Sequence, residues 1–228
     1  MKPKSQELKL IRQHLAANFP EMTDEELAEK LYIQDLILAD NLINSSSGKW
    51  SLESLNAMPE MLSGIKLILD HDWDEIKKTV GVIFEAEVVK KDTAPPWVLN
   101  AGGDGENNLK IIAKEGFVRV EGKCYFLQSD RETIEKTMFG LWESISLSFY
   151  YHNEFDVVCP TCQCLLKDCP HILRTEKNYL ENIMLEDVEN LPTIDYYIKP
   201  EVKAIVEASL VFKGMLPAIG LKTNRQVF

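Results

Sequence analysis

The stretch Ser144-Ile145-Ser146-Leu147-Ser148-Phe149 alternates strictly between serine and a large apolar residue. Successive side chains of a β-strand point to opposite faces of a sheet, so this stretch predicts a half-buried strand with three serines on one face. Five further runs are short and apolar or alternating, and polar turns separate them: 65–69, 80–89, 116–120, 123–127 and 204–212. The six runs together predict a mostly antiparallel sheet or barrel.

Helical patterns precede and interrupt these runs. Apolar residues recur at helical spacing through the first 40 residues, where 23–26 fits a capping box, and Ser51 fits the N-cap of a helix that ends near Leu62. A second capping box at 129–132 predicts another helix, whereas 94–108 is rich in proline, glycine and asparagine and predicts a surface loop. We therefore expect an α+β chain, with a helical segment over 1–43 and a sheet-containing domain over 44–228.

The composition excludes several classes of protein. The 228-residue chain has a net charge of −11, from 25 basic and 36 acidic residues, and 45% of its residues are hydrophobic, which is enough for a packed core. No apolar run reaches the roughly 18 residues that a membrane helix needs, and the charged N-terminus has no apolar region typical of a secretory signal. The acidity disfavours a general nucleic-acid binder, because such proteins contact phosphates through a basic face.

Four of the five cysteines cluster within eleven residues, just after the alternating stretch. Cys159 and Cys162 form a C-x2-C pair, and Cys169 and His171 follow after a gap of six residues. Three sulfurs and one nitrogen complete a tetrahedron around Zn²⁺ with no place left for a catalytic water, so we predict a structural zinc knuckle at about 156–175. Cys164 lies between the two pairs, either as a spare thiol or as a substitute for a neighbouring ligand. A metal site in a reducing compartment is favoured over disulfides, because the chain is neither small nor marked for secretion.

Histidine is scarce, and His71 follows an apolar run between Asp70 and Asp72. A nearby carboxylate favours the imidazolium that forms when histidine accepts a proton, so His71 is a candidate general base. Glu207 lies inside the last apolar run, and a carboxylate in a buried strand needs a partner, such as a histidine that it orients. Serine is abundant and no G-x-S-x-G motif is present, so the residues alone do not select a nucleophile.

Several segments, taken in order, resemble the procapsid (prohead) maturation serine proteases of tailed bacteriophages and their prophage relatives. The segments that carry the resemblance are 67–73 with 80–83 for the histidine strand and its neighbour, 132–140 with 144–149 for the helix and nucleophile strand, and 207–211 for a strand near the end of the domain. A subset of the family has a C-x2-C-x6-C-x-H insertion directly after the serine strand, as this chain does between Cys159 and His171. The similarity extends from about Leu31 to Leu221.

This resemblance implies a serine endopeptidase with His71 as general base, Ser146 as nucleophile and Glu207 as orienting acid. It implies a β-barrel-like sheet flanked by helices, as in herpesvirus assembly proteases, with the zinc knuckle inserted. The implied substrates and partners are the scaffold protein, the major capsid protein and the protease itself, with no membrane and no specific nucleic acid. The implied location is the host bacterial cytoplasm, inside the assembling procapsid.

Two positions depart from the family pattern. Ser148 stands where the family has glycine, which permits close approaches that serine does not, and this leads to the hypothesis that the Ser148 side chain crowds the substrate or the oxyanion region. The segment 44–50 replaces an acidic and arginine-rich turn. Both departures keep open a weakened or inactive relative that acts as a zinc-stapled capsid-assembly or scaffold-binding protein. A third hypothesis is a metal-dependent nuclease that uses Asp70, His71 and Asp72, which the net charge of −11 disfavours.

Overall fold

The structure, a computed structural model, describes residues 1–15, 22–44, 46–71, 79–95, 105–139, 141, 144–151, 156–182, 191–211 and 220–221. Six α-helices lie within these residues: Ser5–Arg12 (α1), Asp24–Lys30 (α2), Leu52–Leu62 (α3), Gly105–Glu115 (α4), Arg131–Met138 (α5) and Arg174–Asn182 (α6). The described strands are Leu31–Asp40 (β1), Gly48–Lys49 (β2), Lys66–Leu69 (β3), Thr79–Lys91 (β4), Phe117–Leu127 (β5), Ser144–Tyr151 (β6), Ile172–Leu173 (β7), Thr193–Ile194 (β8), Tyr197–Ile198 (β9), Val202–Val211 (β10) and Gly220–Leu221 (β11).

Seven strands form one mixed sheet in the order β11-β1-β5-β4-β3-β10-β6. Neighbouring strands are antiparallel except β3 and β10, which are parallel. The predicted α+β class, with a helix-flanked sheet, is therefore confirmed. The predicted barrel-like closure is not found, because no ladder joins β6 to β11 among the described residues, although Cα atoms of the two edge strands come within 8 Å of each other.

Helices cover both faces of the sheet. On one face, Leu55, Met58 and Leu62 recur at helical spacing along α3 and are fully buried in the main core. On the other face, apolar side chains of α1 and α2 pack against residues of the sheet, among them Phe84 of β4. The neighbouring Ile83 belongs to the main core, so the middle of β4 is buried on both sides. Helices on both faces thus bury the central strands of the sheet. The candidate site lies beside these strands.

The helical structure expected through the first 40 residues is wrong beyond Lys30, where the chain becomes strand β1. β1 pairs with β5 on one side and β11 on the other, and residues 36–44 are all buried. A strand buried on both faces has a continuous apolar run instead of an alternating one, and such a run does not distinguish strand from helix. The sheet therefore includes chain on both sides of the predicted boundary at residue 43.

Strand β5 is continuous through residues 117–127, where we expected two strands and a turn. Gly122 lies in its middle because the neighbouring strands approach closely: a Cβ there would lie 2.9 Å from the Glu85 carbonyl oxygen and 2.7 Å from Leu38 Cδ1. The expected loop over 94–108 is also partly wrong, since residues 105–108 begin helix α4, while 96–104 lie outside the described residues.

Two of the three predicted N-caps are confirmed. Thr23 and Glu26 exchange side-chain-to-backbone hydrogen bonds at 3.2 and 2.8 Å, and the Ser51 hydroxyl accepts a backbone N–H of α3 at 3.0 Å. The third is displaced by one residue, because the carboxylate of Asp130, not the hydroxyl of Ser129, caps α5. No described helix is both long enough and apolar enough to cross a membrane.

Candidate active site and metal centre

The turn after β3 sets the position of His71. Asp70 and His71 both adopt left-handed backbone conformations, with φ of 50° and 55°. Two hydrogen bonds to β10 hold this turn: the Asp70 N–H donates to the Leu210 carbonyl and the His71 N–H donates to Ser209 Oγ, both at 3.0 Å. A left-handed conformation costs a non-glycine residue about 1–2 kcal/mol, and these contacts help to offset that cost. Strand β10 therefore determines where the histidine lies.

Glu207 has a buried carboxylate, and both of its oxygens accept hydrogen bonds. Its side chain is 4% exposed, and its Oε1 accepts from His71 Nδ1 and from the Ser148 hydroxyl, each at 2.6 Å. Its Oε2 accepts from the Ser209 hydroxyl at 2.7 Å. A buried charge is tolerated when it is paired and hydrogen-bonded, and these three donors meet that need. Glu207, not the adjacent Asp70, is therefore the carboxylate that orients the His71 ring.

Strand register explains why these side chains meet. Strand β10 lies between β3 and β6, and Glu207 and Ser209 directly face Ser148 and Ser146 across the antiparallel β6–β10 ladder. The opposite face of β6 carries Ile145, which is buried in the main core. The expected alternation of β6 is confirmed for residues 145–149, while the Ser144 side chain lies outside the described part.

Ser146, the nucleophile that the family resemblance implies, lies one cross-strand pair beyond Glu207. It is half-buried opposite Ser209, and its hydroxyl makes no hydrogen bond to any described residue. Among the described residues, the serine hydroxyl within hydrogen-bonding distance of the imidazole is that of Ser148, whose Oγ lies 3.4 Å from His71 Nδ1. That nitrogen already donates to Glu207, because a carboxylate offers only acceptors. Nε2 is thus the nitrogen left to accept a proton.

The site is closed on the acid side and open on the histidine side. The His71 side chain is 37% exposed, whereas that of Glu207 is 4% exposed. Solvent or a peptide can therefore approach the imidazole while the carboxylate behind it stays shielded. A histidine held in one tautomer by a buried acid, beside a row of strand hydroxyls, can act as a general base.

A second cluster contains the four predicted metal ligands. The ligand atoms of Cys159, Cys162, Cys169 and His171 all lie within 4.8 Å of one another. His171 Nδ1 lies 3.3 Å from the Cys162 sulfur and 3.4 Å from the Cys169 sulfur. Ligands of a tetrahedral zinc ion lie about 3.5–3.8 Å apart, so the cluster has the dimensions for a single ion. Cys164 is not part of it.

The electrostatics of the three thiols also suit a cation. Desolvation and the neighbouring Cys159 raise the pKa of Cys162 to about 11, and the same two influences raise the pKa of Cys169. Burial acts to raise the pKa of Cys159, but the backbone N–H groups of residues 161 and 162 outweigh it and the pKa is lowered. Repulsion between neighbouring thiolates thus disfavours deprotonation of all three cysteines at once. A divalent cation would offset this repulsion by binding them as thiolates.

Backbone hydrogen bonds attach the cysteine and histidine cluster to the small β2–β9 sheet, which is separate from the seven-stranded sheet. Val158 and Ile198 exchange backbone hydrogen bonds at 2.9 Å, and β9, which contains Ile198, pairs with β2. Cys159 packs in a small core with Leu173 and Ile194. The segment 44–50, which departs from the family pattern, contains β2 and so forms part of this attachment.

The cluster lies within the connection of a β-hairpin. The last residue of β6, Tyr151, pairs with the first residue of β10, Val202, so the fifty residues 152–201 join two neighbouring antiparallel strands. This connection contains the ligands, helix α6 and strands β7–β9, and is wider than the expected insertion at 156–175. One of the joined strands bears the candidate nucleophile and the other bears Glu207.

Ser209 is the site residue that sequence reasoning missed. Its position two residues after Glu207 puts it on the same strand face, which is a signal that the sequence does contain. Its contact with the His71 backbone depends on the parallel pairing of β3 with β10, across 138 residues of chain. Asp72, part of the nuclease hypothesis, lies outside the described residues.

Comparisons with known proteins identify no relative. No family model, no curated protein and no solved structure matches this chain. The two clusters are therefore the basis for a functional proposal.

Proposed function

We propose that the protein is a serine endopeptidase of the prohead-maturation type, with His71 as base, Ser146 as nucleophile and Glu207 as orienting acid. The observation that carries the proposal is the hydrogen bond of 2.6 Å between His71 Nδ1 and the buried Glu207 carboxylate. The three segments that resemble the family's catalytic strands are also neighbours in the sheet, as β3, β10 and β6. The hypothesis of a nuclease has no comparable support, because the net charge is −11.

The reaction follows the acyl-enzyme route. His71 Nε2 takes the Ser146 hydroxyl proton as Oγ attacks the scissile carbonyl carbon, and the imidazolium is stabilised by the Glu207 carboxylate. The same proton passes to the leaving amine as the C–N bond breaks. Water then attacks the ester, giving its proton through His71 back to Ser146 Oγ, and the acid product leaves. Apo structures often show catalytic hydrogen bonds lengthened or unformed, so the absence of a Ser146–His71 bond is compatible with this role.

We also propose that the cluster of Cys159, Cys162, Cys169 and His171 holds a structural Zn²⁺. Three thiolates and one imidazole fill all four places of a tetrahedron, which leaves none for a reacting water. The ion would supply folding energy to the connection 152–201, not chemistry at the scissile bond.

The substrates proposed for this site are the scaffold protein, the major capsid protein and the protease itself. Cleavage would take place inside the assembling procapsid, in the host bacterial cytoplasm. The partly exposed imidazole beside the sheet gives an extended peptide access to the reacting groups.

The proposal is tested by labelling the purified protein with a fluorophosphonate and by following self-cleavage during expression with intact mass spectrometry. We expect an adduct on Ser146, and we expect both labelling and self-cleavage to be lost in Ser146→Ala and in His71→Ala. An adduct on Ser148 that survives Ser146→Ala would show that the nucleophile is misassigned. A wild-type protein that neither reacts nor cleaves capsid or scaffold proteins would refute the proposed activity.

A non-catalytic assembly protein is the second candidate. It is favoured by Ser148, whose hydroxyl occupies the space beside His71 and shares Glu207 Oε1 with the imidazole. Incubation with capsid and scaffold proteins separates the two candidates, because a binding protein co-assembles with them and leaves their intact masses unchanged.

A further inference from the structure

We infer that Ser148 and Ser209 are positioning residues that jointly clamp the Glu207 carboxylate and, through it, the His71 ring. The inference rests on the proposed function, and it gives Ser148 a supporting role in the site, where the family resemblance suggested only crowding. It also assigns a role to Ser209, for which the resemblance implied none.

Ser209 connects the acid to the backbone of the histidine. Its hydroxyl donates to Glu207 Oε2 at 2.7 Å and accepts the His71 N–H at 3.0 Å, and the residue is fully buried. One oxygen atom therefore ties the left-handed turn at His71 to the carboxylate that must face its ring. Without this hydroxyl, the His71 backbone N–H and a buried carboxylate oxygen would each lose a partner.

Ser148 holds the other oxygen of the same carboxylate. It stands directly opposite Glu207 in the β6–β10 ladder and donates to Oε1 at 2.6 Å. His71 Nδ1 donates to that oxygen at the same distance, and the two donors are 3.4 Å apart. With Ser209 on Oε2, the carboxylate has donors on both sides and cannot rotate without breaking one of them. Ser148 lies on the Nδ1 side of the ring, away from the nitrogen that accepts the proton.

The clamp and the crowding hypotheses predict opposite results for Ser148→Gly, the change that restores the family residue. If Ser148 crowds the substrate, glycine improves binding and reaction. If Ser148 clamps Glu207, glycine removes a charge-assisted hydrogen bond and slows the proton transfer, while the binding constant for a small reagent stays the same.

The first test measures fluorophosphonate inactivation of the full-length, metal-loaded protein, resolved into a maximal rate constant and a binding constant. We expect Ser148→Gly and Ser209→Ala to lower the maximal rate constant by about tenfold to a hundredfold, the loss that follows from one hydrogen bond to a charged group. Ser148→Thr, which keeps the hydroxyl, should restore most of the rate. Ser63→Ala is the matched control, because it removes an exposed hydroxyl that also bonds a histidine, His14, at 3.2 Å.

The second test does not require activity. With only four histidines in the chain, a ¹⁵N-histidine spectrum identifies the His71 Nδ1–H by its loss in His71→Ala. We expect a low-field resonance that exchanges slowly with water, and we expect faster exchange in Ser148→Gly and in Ser209→Ala but not in Ser63→Ala.

The outcomes separate the inference from the proposed function. A wild-type protein that does not react overturns the proposed activity, whereas the His71 resonance still reports on the clamp. A faster reaction of Ser148→Gly, or an unchanged rate and unchanged exchange in both serine variants, overturns the clamp and leaves the activity standing. Thermal melting of each variant identifies any loss that comes from unfolding.

Discussion

Replacing Glu207 by glutamine is the sharpest perturbation of the proposed site, because it removes a charge and keeps the size of the side chain. Nδ1 of the imidazolium that forms during reaction lies 2.6 Å from Glu207 Oε1. For charge centres about 4 Å apart and an effective dielectric constant of about 20, their attraction is about 4 kcal/mol, which corresponds to about a thousandfold in rate. Because the His71 side chain is 37% exposed, solvent screens part of this attraction, and we expect a fall of about 100- to 1000-fold.

Glu207→Gln also disrupts hydrogen bonds, and this adds to the loss of electrostatic attraction. All three partners of the carboxylate donate, so the new amide NH₂ must face either Ser209 or the pair formed by His71 and Ser148. If the NH₂ faces His71, it opposes Nδ1–H, which is also a donor; if it faces Ser209, that hydroxyl must accept instead of donate, and its own proton loses the Glu207 oxygen. The amide therefore disturbs the orientation of the ring as well as its charge balance, and the fall in rate should appear in the maximal rate constant for fluorophosphonate inactivation.

Glu201→Gln is the matched control, since Glu201 is an exposed glutamate that precedes the same strand and loses the same charge. It should react at the wild-type rate. A Glu207→Gln protein that melts at the wild-type temperature and reacts within about threefold of the wild-type rate would refute the role given to Glu207.

Three further predictions concern stability. Burial raises the pKa of Asp40 to about 6, so the folded state binds this proton more tightly than the unfolded chain does. The contribution of protonated Asp40 to the free energy of unfolding is greatest below the ordinary pKa of about 3.9 and is lost as the pH rises through about 6. Asp40→Asn should therefore remove up to about 3 kcal/mol of the pH dependence of the free energy of unfolding, measured with urea between pH 4 and 7. Cys162→Ser or chelation should abolish metal binding and lower the melting temperature, whereas Cys164→Ser should keep one zinc per chain by elemental analysis, and the reverse pattern would contradict the ligand assignment. Gly81→Ala would place a Cβ 2.6 Å from the Tyr125 carbonyl oxygen and should destabilise the fold by about 1–3 kcal/mol in the same unfolding assay; unchanged stability would contradict this close approach.

Local patterns predicted the strands of the site, and long-range pairing was what they could not predict. The alternation through 144–149 and the acid within 204–212 are visible in the sequence because one face of each strand is buried and the other is polar. The contact of Ser209 with the His71 backbone requires β3 to pair with β10, and the sequence of neither strand specifies which strand it pairs with. The clustering of the four candidate metal ligands was predictable because they are close in sequence and their chemistry selects their types.

The missed strand β1 shows the other limit of sequence patterns. Its run of buried residues from Leu36 to Asp40 has no period, since neighbouring strands and both faces of the sheet exclude water from it. A preceding helix, α2, and leucines at helical intervals then favour the wrong continuation. Burial on both sides is decided by the assembled sheet and leaves only an apolar run in the sequence.

The topology of the sheet couples the candidate metal centre to the proposed active site. Strands β6 and β10 form one hairpin, and a slip of a single residue between them would turn Ser146 and Ser148 away from Glu207 towards the core. A connection of fifty residues does little by itself to fix that register, because closing a long loop has an entropic cost. An ion bound by the cluster would order the connection close to its two ends, where Val158 and Ile198 exchange hydrogen bonds at 2.9 Å. An ion bound at this cluster would thus help to maintain the alignment of the proposed nucleophile strand with Glu207, and its removal should lower the maximal rate constant before the sheet unfolds.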